Sequence, residues 1–129
     1  MRHLARRTPE CVRENLPFER VLKAMGEAHL DQLPVVNEDS DLLGLISFQE
    51  VKEILYDPHL RDLVNSADLM NTVERTLEPE ASLQEALALL DEQHAQSWPV
   101  TEGARLYGVL RRHDVYSVYR RAFRGRNGS

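Results

Sequence analysis

Two short segments of the chain place a polar or charged side chain three residues before a carboxylate. Ser47 precedes Glu50, and Arg111 precedes Asp114. A carboxylate can accept hydrogen bonds from a pair of hydroxyl groups, and a guanidinium is a strong partner for a phosphate. A structural interpretation stays open beside this one. Ser47 and Glu50 have the spacing of a helix capping box, Asp114 near a helix start would favour the helix dipole, and Arg111 with its neighbour Arg112 would be solvated surface charges.

The other reactive residues form no pattern that is typical of catalysis or metal binding. The five histidines lack metal-ligand spacing, and the single cysteine, Cys11, is interpreted as a small buried strand residue. No Ser-His-Asp order, phosphate-binding glycine loop or dinucleotide fingerprint occurs in the sequence. We therefore expect neither an enzyme nor a resident metal or cofactor.

Length and composition set further bounds. The chain has 129 residues, of which 42% are hydrophobic, and this balance is typical of one globular domain. The formal net charge of −5 argues against a nucleic-acid partner, which normally requires a basic surface. No apolar run approaches the ~20 residues of a membrane helix, so the chain itself is expected to be soluble.

The sequence repeats itself, and the repeat determines which elements must position these side chains. At an offset of 65 residues, four apolar positions with the i, i+3, i+4, i+7 spacing of a buried helix face coincide. They are Phe18, Val21, Leu22 and Met25 in the first copy and Leu83, Ala86, Leu87 and Leu90 in the second. Two strands follow in each copy, at residues 33–36 and 43–46 and at residues 98–101 and 107–110. The pattern predicts two β-α-β-β-α units.

The predicted fold class is α+β, with the two units packed sheet to sheet about a pseudo-twofold axis, because ~60 residues bury too little area to be stable alone. The first unit spans residues 8–58, the connector residues 59–70 and the second unit residues 71–124. Within the connector we expect a strand-like segment at residues 63–64 and a turn at residues 66–68. Ser82 and Glu85 predict a capping box at the second unit's first helix. Exposed helical faces on such a pair favour a homodimer.

The ordered double occurrence of these elements resembles a tandem cystathionine-β-synthase (CBS) domain pair, also called a Bateman module. The residues that carry the resemblance are the sequence Leu-Pro-Val-Val at 33–36, the segment from Gly44 to Glu50, the Pro-Val at 99–100 and the segment from Gly108 to Asp114. The resemblance implies a regulatory module that binds an adenine nucleotide, such as ATP, ADP or AMP, in clefts between the repeats. In the family, three residues contact the ligand: a glycine, a serine or threonine three residues later, and an aspartate three residues after that. The first copy keeps the hydroxyl at Ser47 and has Glu50 for the aspartate, whereas the second copy has Arg111 for the hydroxyl and keeps Asp114.

The resemblance also predicts which residues share a cleft, because one repeat's motif faces the early segments of the other repeat. The favoured cleft is centred on Asp114, and its predicted ligand-binding residues are Gly108, Arg111, His113, Asp114, Pro9, Glu10, Leu30 and Pro34. The less favoured cleft has Ser47 and Glu50 facing Glu74 and residues 95–99, which include Pro99.

A narrower resemblance is to the CBS pair that follows the membrane domain of some chloride channels and transporters. Three segments carry it: Glu-Asn-Leu-Pro at 14–17, Leu-Val-Asn-Ser-Ala-Asp-Leu-Met at 63–70 and Arg-His-Asp-Val-Tyr-Ser-Val-Tyr at 112–119. It implies a regulator of ion transport on the cytoplasmic face of the cell membrane, attached to a chloride channel. The alternatives are a free-standing nucleotide sensor and a purely structural dimerisation module.

Overall fold

The computed structural model describes residues 11–127, without the side chains of residues 119 and 122–127. The elements follow in the order β1 (Val12–Arg13), α1 (Phe18–Ala28), β2 (Gln32–Val36), β3 (Leu42–Ser47), α2 (Phe48–Leu55), α3 (Pro58–Arg61), α4 (Ser66–Leu69), α5 (Leu83–Glu92), β4 (Ser97–Glu102), β5 (Arg105–Arg111) and α6 (Arg112–Asn127). Among the described residues, no helix has both the length and the apolar character needed to cross a membrane.

The two predicted amphipathic helices form where the periodicity places them. In α1 the buried face is Phe18, Val21, Met25 and Ala28, and in α5 the buried face is Ala86, Leu89 and Leu90. The hydroxyl half of the predicted capping box is present, because Ser82 Oγ accepts a hydrogen bond from the backbone N–H of Glu85 at 3.1 Å.

Each repeat contains an antiparallel hairpin, β2 with β3 and β4 with β5. Strand β1 pairs in parallel with β2, where Val12 lies opposite Val35. The second repeat retains only one bridge of this kind, between Leu77 and Val100. These two pairs coincide at the offset of 65 residues, so the first strand of the second repeat is reduced to a single bridge.

The repeats pack against each other as predicted, and two observations show the pseudo-twofold relation. Asp41 forms an antiparallel bridge with Arg105, and these residues are equivalent at an offset of 64. In addition, Val109 of β5 packs in the apolar core of the first repeat, and its equivalent, Leu45 of β3, packs in the core of the second. Each repeat therefore contributes a strand residue to its neighbour's core, and neither core is complete alone.

Three local predictions were wrong. Residues 63–64 form no strand, and the turn expected at residues 66–68 is part of the short helix α4. The physical reason is a capping box: Asn65 Oδ1 accepts from the backbone N–H of Asp68 at 3.1 Å, and Asp68 Oδ2 accepts from that of Asn65 at 3.0 Å. Cys11 is exposed and precedes β1. Neighbouring atoms nevertheless desolvate its thiol and raise the pKa of Cys11, which disfavours the thiolate.

Candidate ligand-binding cleft

A cavity of about 360 Å³ lies between the repeats. The first repeat contributes Gln32 and Leu45 to its wall, and the larger part comes from the second repeat. The second-repeat residues are Asn71, Thr72, Val73, Glu74, Arg75, Glu92, Gln93 and Trp98. The volume lies within the usual range for a small-molecule site.

Residues 71–75, which form one wall, are held against β3 by an isolated antiparallel bridge. The backbone N–H of Leu45 donates to Asn71 O at 2.9 Å, and the N–H of Asn71 donates to Leu45 O at 2.8 Å. This approach requires a glycine at position 44, because a Cβ there would lie 2.6 Å from Asn71 O. The glycine of the predicted motif thus positions the cavity wall.

Trp98 contributes apolar surface to the cavity. Its indole Nε1 donates to the carbonyl oxygen of Arg75 at 2.8 Å, and its side chain is almost fully buried. The Arg75 guanidinium in turn donates to Glu92 Oε2 at 2.9 Å. Residues 71–75 are therefore fixed both to β3 and to Trp98.

Glu50 does not line the cavity but contacts Asn71 of its wall. Asn71 Nδ2 donates to Glu50 Oε1 at 2.8 Å. The other oxygen, Oε2, is buried, and no hydrogen-bond partner for it exists in the part of the chain that the structure describes. A buried carboxylate oxygen without a donor is unusual in a folded protein, and an added hydroxyl group would satisfy it.

The remaining residues predicted for this cleft have structural contacts. Ser47 caps α2, since its Oγ accepts from the backbone N–H of Glu50 at 3.4 Å. Pro99 pairs with Val109 inside the β4–β5 hairpin, and its carbonyl accepts from the N–H of Leu77 at 3.2 Å. Of the predicted facing residues, Glu74 and Trp98 line the cavity, whereas Pro99 does not.

The cleft predicted around Asp114 is described only in part, because Pro9 and Glu10 lie outside the described residues. Asp114 is half-buried in the first turn of α6, and His113 beside it is exposed. Arg111 Nη2 donates to the carbonyl oxygen of Ala28 at 3.1 Å, which brings its guanidinium to the end of α1.

The other three residues predicted for that cleft are buried strand or loop residues. Gly108 pairs with Val100 in β5, Pro34 pairs with Leu45 in β2, and Leu30 belongs to the core of the first repeat. Arg111 is therefore close to the segment before Leu30, through its hydrogen bond to the carbonyl oxygen of Ala28.

Arg112 is not the solvated charge that one interpretation of the sequence suggested. Its side chain is only 16% exposed, and its Nη1 donates to Asp91 Oδ1 at 2.7 Å. This hydrogen bond raises the pKa of Arg112 above its usual range. Its Nε and Nη2 also donate to the carbonyl oxygen of Ala95, at 3.2 and 3.0 Å. Arg112 thereby holds the segment before β4 in place.

The sequence interpretation missed Asn71, Arg75, Glu92 and Asp31. Asp31 accepts from the backbone N–H of Gln96 at 3.1 Å and from Ser97 Oγ at 2.8 Å. It thus links the segments that precede β2 and β4. One signal was present, because Asp31 and Gln96 are equivalent at the offset of 65 residues and such positions meet near a twofold axis.

Comparison with known proteins identifies related sequences. The family model of the CBS domain matches residues 1–57 and again residues 66–121. An uncharacterised 33.4 kDa protein in the ribosomal RNA operon of Thermofilum pendens is 26% identical over 113 residues. The match covers 88% of the chain and 37% of that protein, so the chain spans little more than a third of this curated relative.

Solved structures share the fold. The AcuB protein of Vibrio cholerae superposes with a TM-score of 0.82 at 17% identity, covering 99% of this chain and 95% of that one. CBSX2, solved in complex with AMP, superposes with a TM-score of 0.80 at 21% identity over 95% and 97% of the chains. The CBS domain pair of protein MJ0100 was solved with 5-methylthioadenosine and S-adenosyl-L-methionine. It superposes with a TM-score of 0.76 at 15% identity, covering 92% of this chain and 93% of that one.

Proposed function

Because the chain belongs to the CBS domain family, with two copies of the domain, we propose that it is a regulatory module that binds an adenosine-containing ligand between its repeats. The observation that carries the proposal is the cavity of about 360 Å³ together with the buried, unpartnered Oε2 of Glu50, whose carboxylate contacts Asn71 of the cavity wall. Two proteins of the same fold were solved with adenosine-containing ligands, AMP in one case and 5-methylthioadenosine and S-adenosyl-L-methionine in the other.

Each part of an adenosine has a matching group in this cleft. Trp98 and Leu45 offer apolar surface for the adenine ring, and the backbone of residues 71–75 offers polar groups for its edge. The ribose hydroxyl groups can donate to Glu50 Oε2 once the side chain of Asn71 moves aside. Glu50 replaces the aspartate of the family motif and performs the same acceptor role with one additional methylene.

Regulation would follow from differential binding. The cleft contains groups from both repeats, so a ligand that contacts Leu45 and Trp98 together favours the closed arrangement of the pair. A ligand shifts such an equilibrium only by as much as it prefers one arrangement over the other. The attached or associated protein would respond to that shift.

Titration calorimetry with adenosine, S-adenosylmethionine, AMP, ADP and ATP tests the proposal. Glu50→Gln should weaken binding about ten- to a hundredfold, because a hydrogen bond to a charged group contributes about 1.5–3 kcal/mol. Glu53→Gln is the matched control, since Glu53 is exposed on the same helix, outside the cavity wall, and it should leave the affinity unchanged. An absence of heat with all five compounds at millimolar concentration would favour a purely structural module.

The protein's single tryptophan distinguishes the two clefts. Trp98 lines the cavity beside Glu74 and Arg75, so binding in this cleft should change its fluorescence. The Asp114 cleft stays a prediction of the sequence. Binding that is lost in Asp114→Ala, retained in Glu50→Gln and silent in Trp98 fluorescence would assign the ligand to that cleft instead.

We further propose that the module is attached to a chloride channel or transporter and modulates ion transport at the cytoplasmic face of the membrane. The support is the sequence resemblance of residues 14–17, 63–70 and 112–119. The upstream gene sequence decides between this and a free-standing sensor: membrane-spanning segments in the same reading frame support the attachment, and translation that starts at Met1 excludes a preceding membrane domain.

A homodimer is proposed on the exposed apolar residues of two equivalent helices. Phe48 of α2 is 56% exposed and Tyr116 of α6 is 44% exposed. Contact between copies through these helices would bury both side chains. Sedimentation equilibrium measures the stoichiometry, and a monomer at all concentrations would exclude the dimer.

A further inference from the structure

We infer that this cleft selects adenosine compounds of zero or positive charge over the negatively charged adenine nucleotides. The inference rests on the proposed function and specifies the ligand class. It follows from the charges of the cavity wall, where two carboxylates, Glu74 and Glu92, accompany one guanidinium, Arg75. Glu50, which accepts a hydrogen bond from Asn71 of the wall, adds a third carboxylate next to the cavity.

Arg75 cannot reverse the net negative charge of the cavity wall. Its guanidinium is paired with Glu92 at 2.9 Å, and both side chains are more than half exposed. Such an exposed pair is weak, so Arg75 could turn toward a phosphate. Doing so would leave the Glu92 carboxylate unpaired in the same wall, and the net charge that the ligand meets would stay negative.

The surroundings of the cleft have the same sign. A second groove, of about 570 Å³, shares Arg75 and Glu92 with the first cavity. It is also lined by Glu78 and Glu85. A triphosphate that extended from the cavity in this direction would meet a surface of several carboxylates and one guanidinium, whereas a sulfonium or ammonium group would be attracted.

The hydrogen-bonding groups lead to the same ligand class. Glu50 Oε2 requires a donor, which the ribose hydroxyl groups of any adenosine compound supply. The residues of the cavity wall include no lysine, and none of the helices in the described part of the chain contributes its N-terminus to the wall. Beside the wall there is thus a carboxylate oxygen that lacks a donor, and within the wall there is a single, already paired cation for a phosphate.

Calorimetry without magnesium, followed in parallel by Trp98 fluorescence, tests the selection with adenosine, S-adenosylmethionine, AMP and ATP. We expect adenosine and S-adenosylmethionine to bind at least about tenfold more tightly than ATP, because like charges repel over the few ångströms of the cavity. The affinity for S-adenosylmethionine should fall as salt is added, since salt screens its attraction to the carboxylates.

Glu74→Gln should narrow the difference between adenosine and ATP severalfold by removing one negative charge from the wall. Glu38→Gln is the matched control, because Glu38 is 87% exposed in the β2–β3 turn and does not line the cavity. Tighter binding of AMP or ATP than of adenosine would overturn the inference. A ratio of adenosine affinity to ATP affinity that stays the same in Glu74→Gln would also overturn it. If none of the four compounds binds, the proposed function itself fails, and that result is distinct from a reversed order of affinities.

Discussion

At the scale of single residues, Gly44 connects the family motif to the cavity. A Cβ at this position would lie 2.6 Å from Asn71 O and 3.1 Å from Met70 Sδ. Gly44→Ala must therefore displace the backbone that forms the cavity wall, and we expect a loss of about 1–3 kcal/mol in the free energy of unfolding, as for other overpacked sites. Urea denaturation followed by circular dichroism measures the loss.

Gly26→Ala is the control for this substitution. Gly26 lies inside α1, and a Cβ added there would have no neighbouring atom within 4 Å. An alanine at this position should stabilise the protein by about 0.5–1 kcal/mol, because glycine is unfavourable in a helix interior. Equal effects at the two positions would mean that the contact with Asn71 does not constrain position 44.

At the scale of elements, the two repeats end their first helices in the same way. His29 and His94 are equivalent at the offset of 65 residues, and both adopt left-handed backbone conformations, with φ of 54° and 52°. A residue other than glycine destabilises the folded state by about 1–2 kcal/mol in this conformation. Replacing it by glycine removes that cost, but the greater freedom of glycine in the unfolded chain offsets about 0.4–1 kcal/mol of the stabilisation.

We therefore expect His94→Gly to stabilise the protein by about 0.5–1 kcal/mol in chemical denaturation. His59→Gly is the matched comparison, because His59 belongs to the helix α3. Glycine is unfavourable in a helix, so this substitution should lower the free energy of unfolding by about 1 kcal/mol. Stabilisation by both substitutions, or by neither, would contradict the role of the backbone conformation.

The elements also show how much of the fold the sequence predicts. The helices α1 and α5 and both hairpins could be predicted because periodic apolar residues and an internal repeat specify them. The connector could not, because α4 begins with the cap of Asn65 and Asp68, which resembles a turn in sequence.

The candidate site was predicted less completely than the fold. The resemblance to a CBS pair predicts Glu50 and Glu74 as cleft residues, whereas it does not point to Asn71 or Arg75. Asn71 reaches the cavity through its pairing with Leu45 across the repeat boundary. A pairing of this kind depends on how the two units pack and leaves no periodic signal in the sequence.

At the scale of the whole molecule, the exchange of core residues makes the two repeats one cooperative unit. Leu45 belongs to the first repeat by sequence and to the core of the second by packing, and Val109 has the reverse arrangement. Asp31 adds a polar link between the repeats through Gln96 and Ser97. Loosening one repeat therefore removes contacts from the other, which is the property that a ligand between them needs in order to act on both.

This coupling predicts the effect of Leu45→Ala. Leu45 is 4% exposed and packs in the same core as Trp98, so its truncation should lower the free energy of unfolding by about 2–5 kcal/mol. Because the repeats unfold together, the midpoints from Trp98 fluorescence, which reports on the second repeat, and from far-ultraviolet circular dichroism should shift equally. Leu63→Ala is the control, since Leu63 is 75% exposed and its loss should change stability by less than about 0.5 kcal/mol. Midpoints from Trp98 fluorescence and circular dichroism that shift by different amounts would show that the two repeats unfold independently.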